Sequence, residues 1–269
     1  MKVRIIPHRR DKAAWNLALE EALYINAKEK LDEGREIEPI VKLYSWKKPS
    51  VILGYRQNIN EVDHEYINEN KIDFTMRTTG GGSVYLGRED MQYSIITPRK
   101  YSLELLKNIN FNIKNALKDV GLPSQIVNKN NHPVVRVAGK GSIFDAQRRY
   151  KNLLLHHGTT LVNNNDYEHM PQSLKATSEE LKTLQTGNLW LKQLQQVKEK
   201  ALIKAFEKNL PEQEEIKIQD YTDKEINIAR KLYRNWYSNP AAFDKGTKKF
   251  GICYLTSTGY DMDWYAEKD

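Results

Sequence analysis

Residues 43 to 85 read LYSWKKPSVILGYRQNINEVDHEYINENKIDFTMRTTGGGSVY, and this stretch decides the fold. Its β-branched and aromatic residues occur in short runs, which is the pattern of strands. Between the second and third runs, VDHEYINEN at 62 to 70 predicts a short helix. Strands are predicted at IVKLYSW (40 to 46), SVILGYRQ (50 to 57) and DFTMRTT (73 to 79). The third strand leads directly into three consecutive glycines.

These glycines, Gly80, Gly81 and Gly82, cost more backbone entropy than any other tripeptide, so their position calls for a reason. Without Cβ atoms, several main-chain N–H groups can approach an anion or a flat ligand closely, and Arg77 adds a planar charged donor. A plain hairpin turn is the alternative explanation. The segment is neither a P-loop nor a Rossmann fingerprint, because the GxxxxGK[ST] and GxGxxG spacings are absent.

The elements outside this stretch indicate the fold class. DKAAWNLALEEALYINAKEK at 11 to 30 repeats Trp15, Leu19 and Leu23 at helical spacing, which predicts an amphipathic helix with Asp11 as its N-cap. A second helix, within 102 to 121, ends before Gly121 and Pro123. Further strands are predicted at 91 to 98, 134 to 140, 142 to 149 and 152 to 162. Because the regular βαβ rhythm is missing, we expect an α/β fold of the α+β type, with a mixed, mainly antiparallel sheet flanked by helices.

The chain becomes more helical from about residue 166. A helix is expected near 189 to 209, then an acidic linker at 210 to 220, a further helix, and a terminal strand or hairpin within 250 to 265. TSEE at 177 and TDKE at 222 both fit the capping box that starts a helix. We interpret residues 1 to 269 as a single domain.

Composition narrows the class of protein. The 269 residues are 39% hydrophobic and 29% charged, as in a soluble globular enzyme, and no apolar run approaches the ~20 residues of a membrane span. The first residues lack the features of a secretory signal. The single cysteine, Cys253, excludes an internal disulfide and favours a reducing cytoplasm. The net charge of +7 suggests an acidic partner.

The segment from 136 to 162 holds other candidates. Lys140 lies between two glycines, so its ammonium could swing onto a phosphate or carboxylate, or simply be solvated in a hairpin turn. His156 and His157, adjacent on a strand, should point to opposite faces, so they cannot both bind one metal, and at least one should pack against the sheet. RRYK at 148 to 151 is interpreted as a solvated strand end.

Two further candidates for catalysis carry little signal. Glu20 and Glu21 form a possible acid and base pair, but the polar face of an amphipathic helix would carry them in any case. Cys253 lies in the apolar run GICYL, where an inert buried thiol is the default interpretation.

Four segments together resemble the lipoate-protein ligase family, which shares its catalytic fold with biotin protein ligases and octanoyltransferases. The likeness covers roughly residues 10 to 165, and the stretch at 43 to 85 carries most of it. The four segments are WNLALEEAL at 15 to 23, the stretch at 43 to 85, GKGSIFDAQRR at 139 to 149 and LHHGTTLV at 155 to 162.

The resemblance implies a two-step ligation. ATP, with Mg²⁺, and lipoate form lipoyl-adenylate, and the acyl group then passes to a lysine of an acidic carrier domain. Such carriers are the acyltransferase subunits of 2-oxoacid dehydrogenases and the glycine-cleavage H protein. Lys140 is implied as the catalytic residue. The implied substrate and adenylate pocket consists of Trp46, Arg77, Thr79, Gly80, Gly81, Gly82, Ser83, Val84, Tyr85, Asn131 and Gly158.

The chain departs from the family pattern at several polar positions. Met76 stands where a second arginine is usual, and Leu86 stands where a histidine is frequent. His132 follows Asn131 where the family commonly has aspartate, and Lys140 matches the family lysine only with a one-residue shift, because Gly141 occupies the position itself. The chain ends without the accessory domain of many members, which suggests a separate accessory protein.

Two other functions remain open at this stage. One is an octanoyl or lipoyl transferase that works through an acyl-cysteine, although no cysteine occurs between residues 120 and 160. The other is a non-catalytic binder of lipoyl or nucleotide groups built on the same fold. Neither a nucleic acid nor a membrane is expected as a partner.

Overall fold

The structure is a computed structural model that describes residues 2–88, 90–129, 132–137, 141–142, 144–160, 167–175, 199–209 and 215–239. Its largest element is a six-stranded sheet, with strand order β10-β11-β6-β2-β1-β12. Strand β10 pairs with β11, β11 with β6 and β6 with β2, all antiparallel. Strand β1 pairs with β2 on one side and with β12 on the other, both parallel. These strands are β1 (Lys2–Asp11), β2 (Ile40–Trp46), β6 (Met91–Thr97), β10 (Phe144–Tyr150), β11 (Leu153–Thr160) and β12 (Glu215–Ile218). The expected mixed, mainly antiparallel sheet is confirmed.

Two three-stranded sheets complete the β-structure, in the orders β4-β3-β5 and β7-β8-β9. The first comes from the stretch at 43 to 85 and ends at the glycine-rich segment. The second packs against α3. Their strands are β3 (Ser50–Leu53), β4 (Asp73–Met76), β5 (Val84–Leu86), β7 (Ser124–Lys129), β8 (His132–Val137) and β9 (Gly141–Ser142).

Helices cover both faces of the main sheet. Among the described residues, no helix has the length and apolar character needed to cross a bilayer. The helices are α1 (Ala13–Asp32), α2 (His64–Glu69), α3 (Leu103–Asp119), α4 (Met170–Ser173), α5 (Glu199–Lys208) and α6 (Asp223–Leu232), which continues as a π-helical turn at Tyr233–Tyr237. The short helix predicted at 62 to 70 is confirmed as α2, and the helix predicted within 102 to 121 is confirmed as α3. The part of the helix predicted near 189 to 209 that is described is α5.

Helix α1 differs from its prediction in two respects. Residues 16 to 27 are buried without interruption, because the sheet covers one side of α1 while α6, the π-helical turn and β4 cover the others. The helix is therefore central rather than amphipathic. The predicted N-cap is also wrong. Asp11 ends β1 and binds Lys47, and Lys12 occupies the cap position without a side-chain hydrogen bond.

Four strands were absent from the sequence-based prediction, namely β1, β5, β7 and β12. Strand β1 contains Pro7, and its pairing with β2 shifts register between Ile6 and Arg9, which is where a strand tolerates proline. Strand β12 occupies part of the stretch expected to be a linker, and all four of its residues are exposed. The capping box predicted at Thr222 is confirmed, with Glu225 at N3. TSEE at 177 and the tail at 250 to 265 lie outside the described residues.

A buried ion pair joins the first strand to the last described helix. Arg4 donates to both carboxylate oxygens of Glu225, at 2.7 and 2.8 Å, and Asn26 of α1 donates to the same carboxylate at 2.9 Å. Burial raises the pKa of Glu225, but the hydrogen bonds from Arg4 and from the Thr222 amide outweigh it and hold the pKa below its usual value. The contact therefore stabilises the packing of α6 against β1 and α1.

We expect Glu225→Gln to lower the free energy of unfolding by about 3 kcal/mol, because it leaves the Arg4 guanidinium buried without a countercharge. Urea unfolding at neutral pH measures this. The control is Asp220→Asn, which removes the exposed ion pair of Asp220 with Arg9 and should change stability by less than about 1 kcal/mol. Equal effects of the two substitutions would contradict the prediction.

Candidate functional site

A small cavity of about 50 Å³ lies between α1 and the main sheet, beside the glycine-rich segment. Its wall is largely apolar, with the polar groups of Arg77, Asp145 and His157 at its border. The lining residues are Leu17, Tyr44, Trp46, Ile52, Arg77, Val84, Leu86, Gln92, Asp145, Ala146, His157, Gly158 and Thr159. Four residues predicted for the site, Trp46, Arg77, Val84 and Gly158, are thus brought together.

Arg77 holds the glycine-rich segment in shape. Its guanidinium donates to the carbonyl oxygens of Gly80 at 2.7 Å, Gly82 at 2.8 Å and Ile52 at 3.3 Å. Burial lowers the pKa of Arg77 to about 10, and the carboxylate of Glu20 opposes this, so the side chain is charged at neutral pH. Arg77 therefore fixes the main chain around the three glycines.

Gly54 supplies the space into which this segment folds. A Cβ atom at Gly54 would lie 1.9 Å from the carbonyl oxygen of Gly81, and Gly81 has a φ of +94°, which favours glycine. The Tyr55 amide donates to the Thr79 carbonyl at 2.9 Å on the same side. Close backbone approach therefore explains glycine at position 54, and the positive φ explains it at position 81.

Glu20 connects α1, the main sheet and the glycine-rich segment. Its carboxylate accepts hydrogen bonds from Tyr44 Oη, at 3.0 Å, and from Ser94 Oγ, and contacts Nδ1 of His157 at 2.8 Å. Nε2 of His157 contacts Thr79 Oγ1 at 2.8 Å. Burial raises the pKa of Glu20, but His157, Lys42 and the bond from Ser94 outweigh it and lower the pKa to about 2. Glu20 is therefore ionised and orients His157 toward Thr79.

Glu21 makes the second contact between α1 and this segment. Its carboxylate accepts from Arg148 at 2.5 Å and from Thr78 Oγ1 at 2.8 Å. All three residues are buried. The interpretation of RRYK as a solvated strand end is therefore wrong for Arg148, which points into the protein toward α1.

The two histidines lie on opposite faces of β11, as predicted. His157 is paired in register with Ser94 and faces α1, whereas His156 is paired with Ile95 and contacts the hydroxyl of Tyr93 at 3.1 Å. Both side chains are buried, and burial lowers the pKa of His156 to about 3. A Cβ atom at Gly158 would lie 2.4 Å from Tyr93 Oη, so this glycine makes room for the Tyr93 ring.

Other predicted site residues are placed differently. Tyr85 points away from the cavity that its neighbours Val84 and Leu86 line, and its ring packs 5.7 Å from that of Tyr167. Ser83 Oγ lies 3.4 Å from the side-chain amide of Gln57, at the exposed end of the segment. Gly80, Gly81 and Gly82 are exposed. Lys140, Asn131 and Cys253 lie outside the described residues.

Sequence reasoning undervalued the polar residues of α1. Glu20 and Glu21 were assigned to a solvated helix face but are 4% and 3% exposed. Lys42 is also buried; its Nζ donates to the Asn16 carbonyl at 2.6 Å, and burial, opposed by Glu20 and Asp11, lowers its pKa to about 7. The sequence did contain a sign that Glu20 and Glu21 are buried, because apolar residues flank both of them on every face of the helix in WNLALEEALY.

A larger cavity of about 110 Å³ lies on the other face of the main sheet, against α3 and α5. It is lined mainly by apolar side chains, including Val41, Tyr93 and Phe206, and by no residue predicted for the site. The predicted site residues that the structure brings together therefore line the smaller cavity beside Arg77 and His157.

Comparisons with known proteins agree with this architecture. A bipartite lipoate protein ligase from Thermoplasma acidophilum, described together with its E2 lipoyl domain, superposes with a TM-score of 0.71 at 24% identity, covering 92% of this chain and 97% of that chain. A lipoate-protein ligase A bound with ATP superposes with a TM-score of 0.66, also at 24% identity, and the superposition covers 89% of this chain and 97% of that chain. At this identity the likeness shows the fold alone, and the fold is that of the lipoate protein ligases.

The family profile "Lipoyl protein ligase A/B catalytic domain" matches residues 12–210. The chain belongs to this family. It is 29% identical to lipoate-protein ligase 1 of Staphylococcus aureus over 170 residues, 62% of this chain but only 48% of that protein. It is 25% identical to the octanoyltransferase LipM of Brevibacillus brevis over 261 residues, 84% of this chain and 92% of that protein. The chain thus spans about half the length of the Staphylococcus relative.

We expect Gly54→Ala to displace the glycine-rich segment, because the added methyl would overlap the Gly81 carbonyl. The free energy of unfolding should fall by about 2 kcal/mol, and amide hydrogen exchange should speed up at residues 77 to 84. The matched control is Gly80→Ala, whose Cβ meets no atom within 4 Å. Unchanged exchange in Gly54→Ala would contradict the role given to this glycine.

The ionised carboxylate of Glu20 should stabilise the fold in a pH-dependent manner. Because its pKa is depressed from 4.5 to about 2, its contribution is present above about pH 4.5 and is lost as the pH falls toward about 2. Glu20→Gln should therefore lower the free energy of unfolding by about 1–3 kcal/mol at pH 7, and this difference from wild type should shrink over that interval.

Urea unfolding at a series of pH values measures the difference. The control is Glu33→Gln, which changes an exposed carboxylate just beyond the end of α1 and should alter stability by less than about 0.5 kcal/mol. A difference that stays constant from neutral pH to pH 2 would show that the Glu20 charge is not what stabilises the site.

Proposed function

We propose that this protein is a lipoate-protein ligase that activates lipoate with ATP and transfers the lipoyl group to a lysine of a carrier domain. The observation that carries the proposal is the glycine-rich segment beside an apolar cavity, which Arg77 holds by hydrogen bonds and which packs against Gly54. Membership of the family supports it. Structural neighbours include ligases with bound lipoic acid and bound ATP, which supports these two substrates.

The residues of the site suit an acyl-adenylate. The apolar wall formed by Trp46, Val84 and Leu86 would hold the aliphatic chain of lipoate. The exposed glycines place main-chain amides next to that wall, where they can donate to phosphate oxygens. Magnesium would enter with ATP and neutralise phosphate charge. Attack of the lipoate carboxylate on the α-phosphate builds up negative charge, and each oriented donor is worth ~3 kcal/mol in such sites.

Lys140 is proposed as the cation at the reactive acyl-phosphate, and Asn131 as a further polar contact. Thr79 is proposed as a residue that His157 positions. We also propose that formation of the adenylate requires a separate accessory protein, and that the protein acts in the cytoplasm.

The curated relatives include both ligases and octanoyltransferases. A transferase that forms a thioester needs a nucleophilic cysteine near the lysine loop, and the sequence contains only Cys253. Residues 120 to 160 contain none. This favours the ligase over the transferase, because a ligase stores the activated acyl group on AMP rather than on the enzyme.

The proposed reaction is tested by mass spectrometry of a carrier domain after incubation with lipoate, ATP and Mg²⁺, with and without a candidate accessory protein. The expected result is the mass increase of one lipoyl group, lost without ATP and retained in Cys253→Ser. Lys140→Ala should lower turnover by at least about a hundredfold.

A transferase would give the opposite pattern. Octanoyl transfer from an octanoyl carrier without ATP, abolished in Cys253→Ser, would overturn the ligase proposal. Binding of lipoate without any modification of the carrier, in the presence of the accessory protein, would instead indicate a non-catalytic member of the fold.

A further inference from the structure

An open cleft of about 480 Å³ lies at the N-terminal end of α1, apart from the cavity described above. Three separate segments form it: the junction of β1 and α1, the end of β2, and the end of α6 with the π-helical turn. It is lined by Asp11, Lys12, Trp15, Lys47, Arg230, Tyr233 and Arg234. No role given so far uses these side chains together.

The cleft carries a surplus of positive charge. Four cationic side chains and one carboxylate line it, and Asp11 is already bonded to Lys47 at 3.1 Å. Lys12, Arg230 and Arg234 are exposed and form no ion pair with another residue in the described part of the chain. Arg230 of α6 and Arg234 of the π-helical turn both line the cleft, so both lie on the same side. The cleft thus attracts acidic groups.

Two aromatic rings form the floor between these cations. Trp15 and Tyr233 are partly buried and meet edge to face, with ring centroids 5.6 Å apart. Tryptophan, tyrosine and arginine are the residues in which protein–protein binding energy is concentrated. The cleft is open to solvent, whereas small-molecule sites enclose most of their ligand. The combination therefore fits a protein surface that carries acidic residues around an apolar side chain.

The position of the cleft places such a partner beside the proposed site. Trp15 and Glu21 are six residues apart on α1, about 9 Å along the helix axis, and Glu21 contacts Thr78 of the glycine-rich segment. Lys47 directly follows Trp46, which lines the cavity. A folded domain seated on the cleft lies next to the segment where its lysine would receive the acyl group.

We infer that this cleft is the docking surface for the acidic carrier domain, with Arg230 and Arg234 as its principal charged contacts and Trp15 and Tyr233 as its apolar floor. The inference rests on the proposed function, because it takes the partner to be the acyl acceptor. The net charge of +7 is a property of the whole chain, and the inference names the positive residues that contact the carrier.

The test is charge reversal in Arg230→Glu/Arg234→Glu. The carrier is a lipoyl domain of a 2-oxoacid dehydrogenase, used with any accessory protein that activity requires. The KM for the carrier should rise at least about tenfold while kcat changes little, because the lost contacts act on association. Lipoate-dependent exchange of pyrophosphate into ATP, measured without carrier, should be unchanged.

The matched control is Lys107→Glu/Lys204→Glu. These exposed lysines lie on α3 and α5, on the opposite side of the main sheet, and their reversal changes the net charge by the same amount. The KM for the carrier should then change by less than about twofold. Equal effects of the two double variants would mean that only overall charge matters, and would overturn the docking site.

Direct binding separates this inference from the proposed reaction. A lipoyl domain whose acceptor lysine is replaced by arginine should bind the wild-type protein in fluorescence anisotropy and bind Arg230→Glu/Arg234→Glu at least about tenfold more weakly. Binding of this kind without carrier modification would overturn the proposed reaction but support the docking surface. If the carrier is modified but binds the wild-type protein and Arg230→Glu/Arg234→Glu equally well, the proposed reaction is supported and the docking surface is overturned.

Tight binding of duplex DNA or RNA to the wild-type protein, lost in the same variant, would overturn the inference by showing a nucleic-acid site.

Discussion

The buried carboxylate of Glu20 is the group on which the arrangement of the site depends. A charge in a protein interior is tolerated only when partners replace its water. Here Tyr44 comes from β2, Ser94 from β6 and His157 from β11. Satisfying one carboxylate therefore aligns three strands with α1. Through His157 the same group reaches Thr79, so the glycine-rich segment is held relative to the sheet.

Glu21 repeats this arrangement one residue further along the helix, with Arg148 and Thr78 as partners. Two adjacent carboxylates on a helix point in directions about 100° apart, so they reach different strands. Together they fix both the rotation of α1 and its position along its axis. The apolar neighbours Leu17 and Leu19 supply burial, but apolar contacts alone are non-directional. The buried charges thus supply geometry that hydrophobic packing does not.

The glycine-rich segment shows which features of the site the local sequence predicts and which depend on contacts with residues distant in sequence. The run Gly80 to Gly82 predicts either a close main-chain approach or a turn, and the close approach occurs at Gly81. The sequence does not show what Gly81 approaches, because Gly54 lies more than twenty residues earlier in the chain. Arg77 was expected to contact a ligand, whereas its guanidinium bonds the main chain on both sides of Gly81.

The sequence by itself determined the strands from Ile40 to Met76, helices α2 and α3, the mixed sheet and the family, because each depends on local periodicity, turn residues or a long contiguous pattern. Only the tertiary structure decided that α1 is central, that β1 and β12 extend the sheet, and that Glu20, Glu21 and Arg148 are buried. Burial of these charges depends on partners 24 to 137 residues away. The local sequence pattern does not show whether the folded chain brings such partners together. From the sequence alone, the same residues therefore look like a solvent-exposed face.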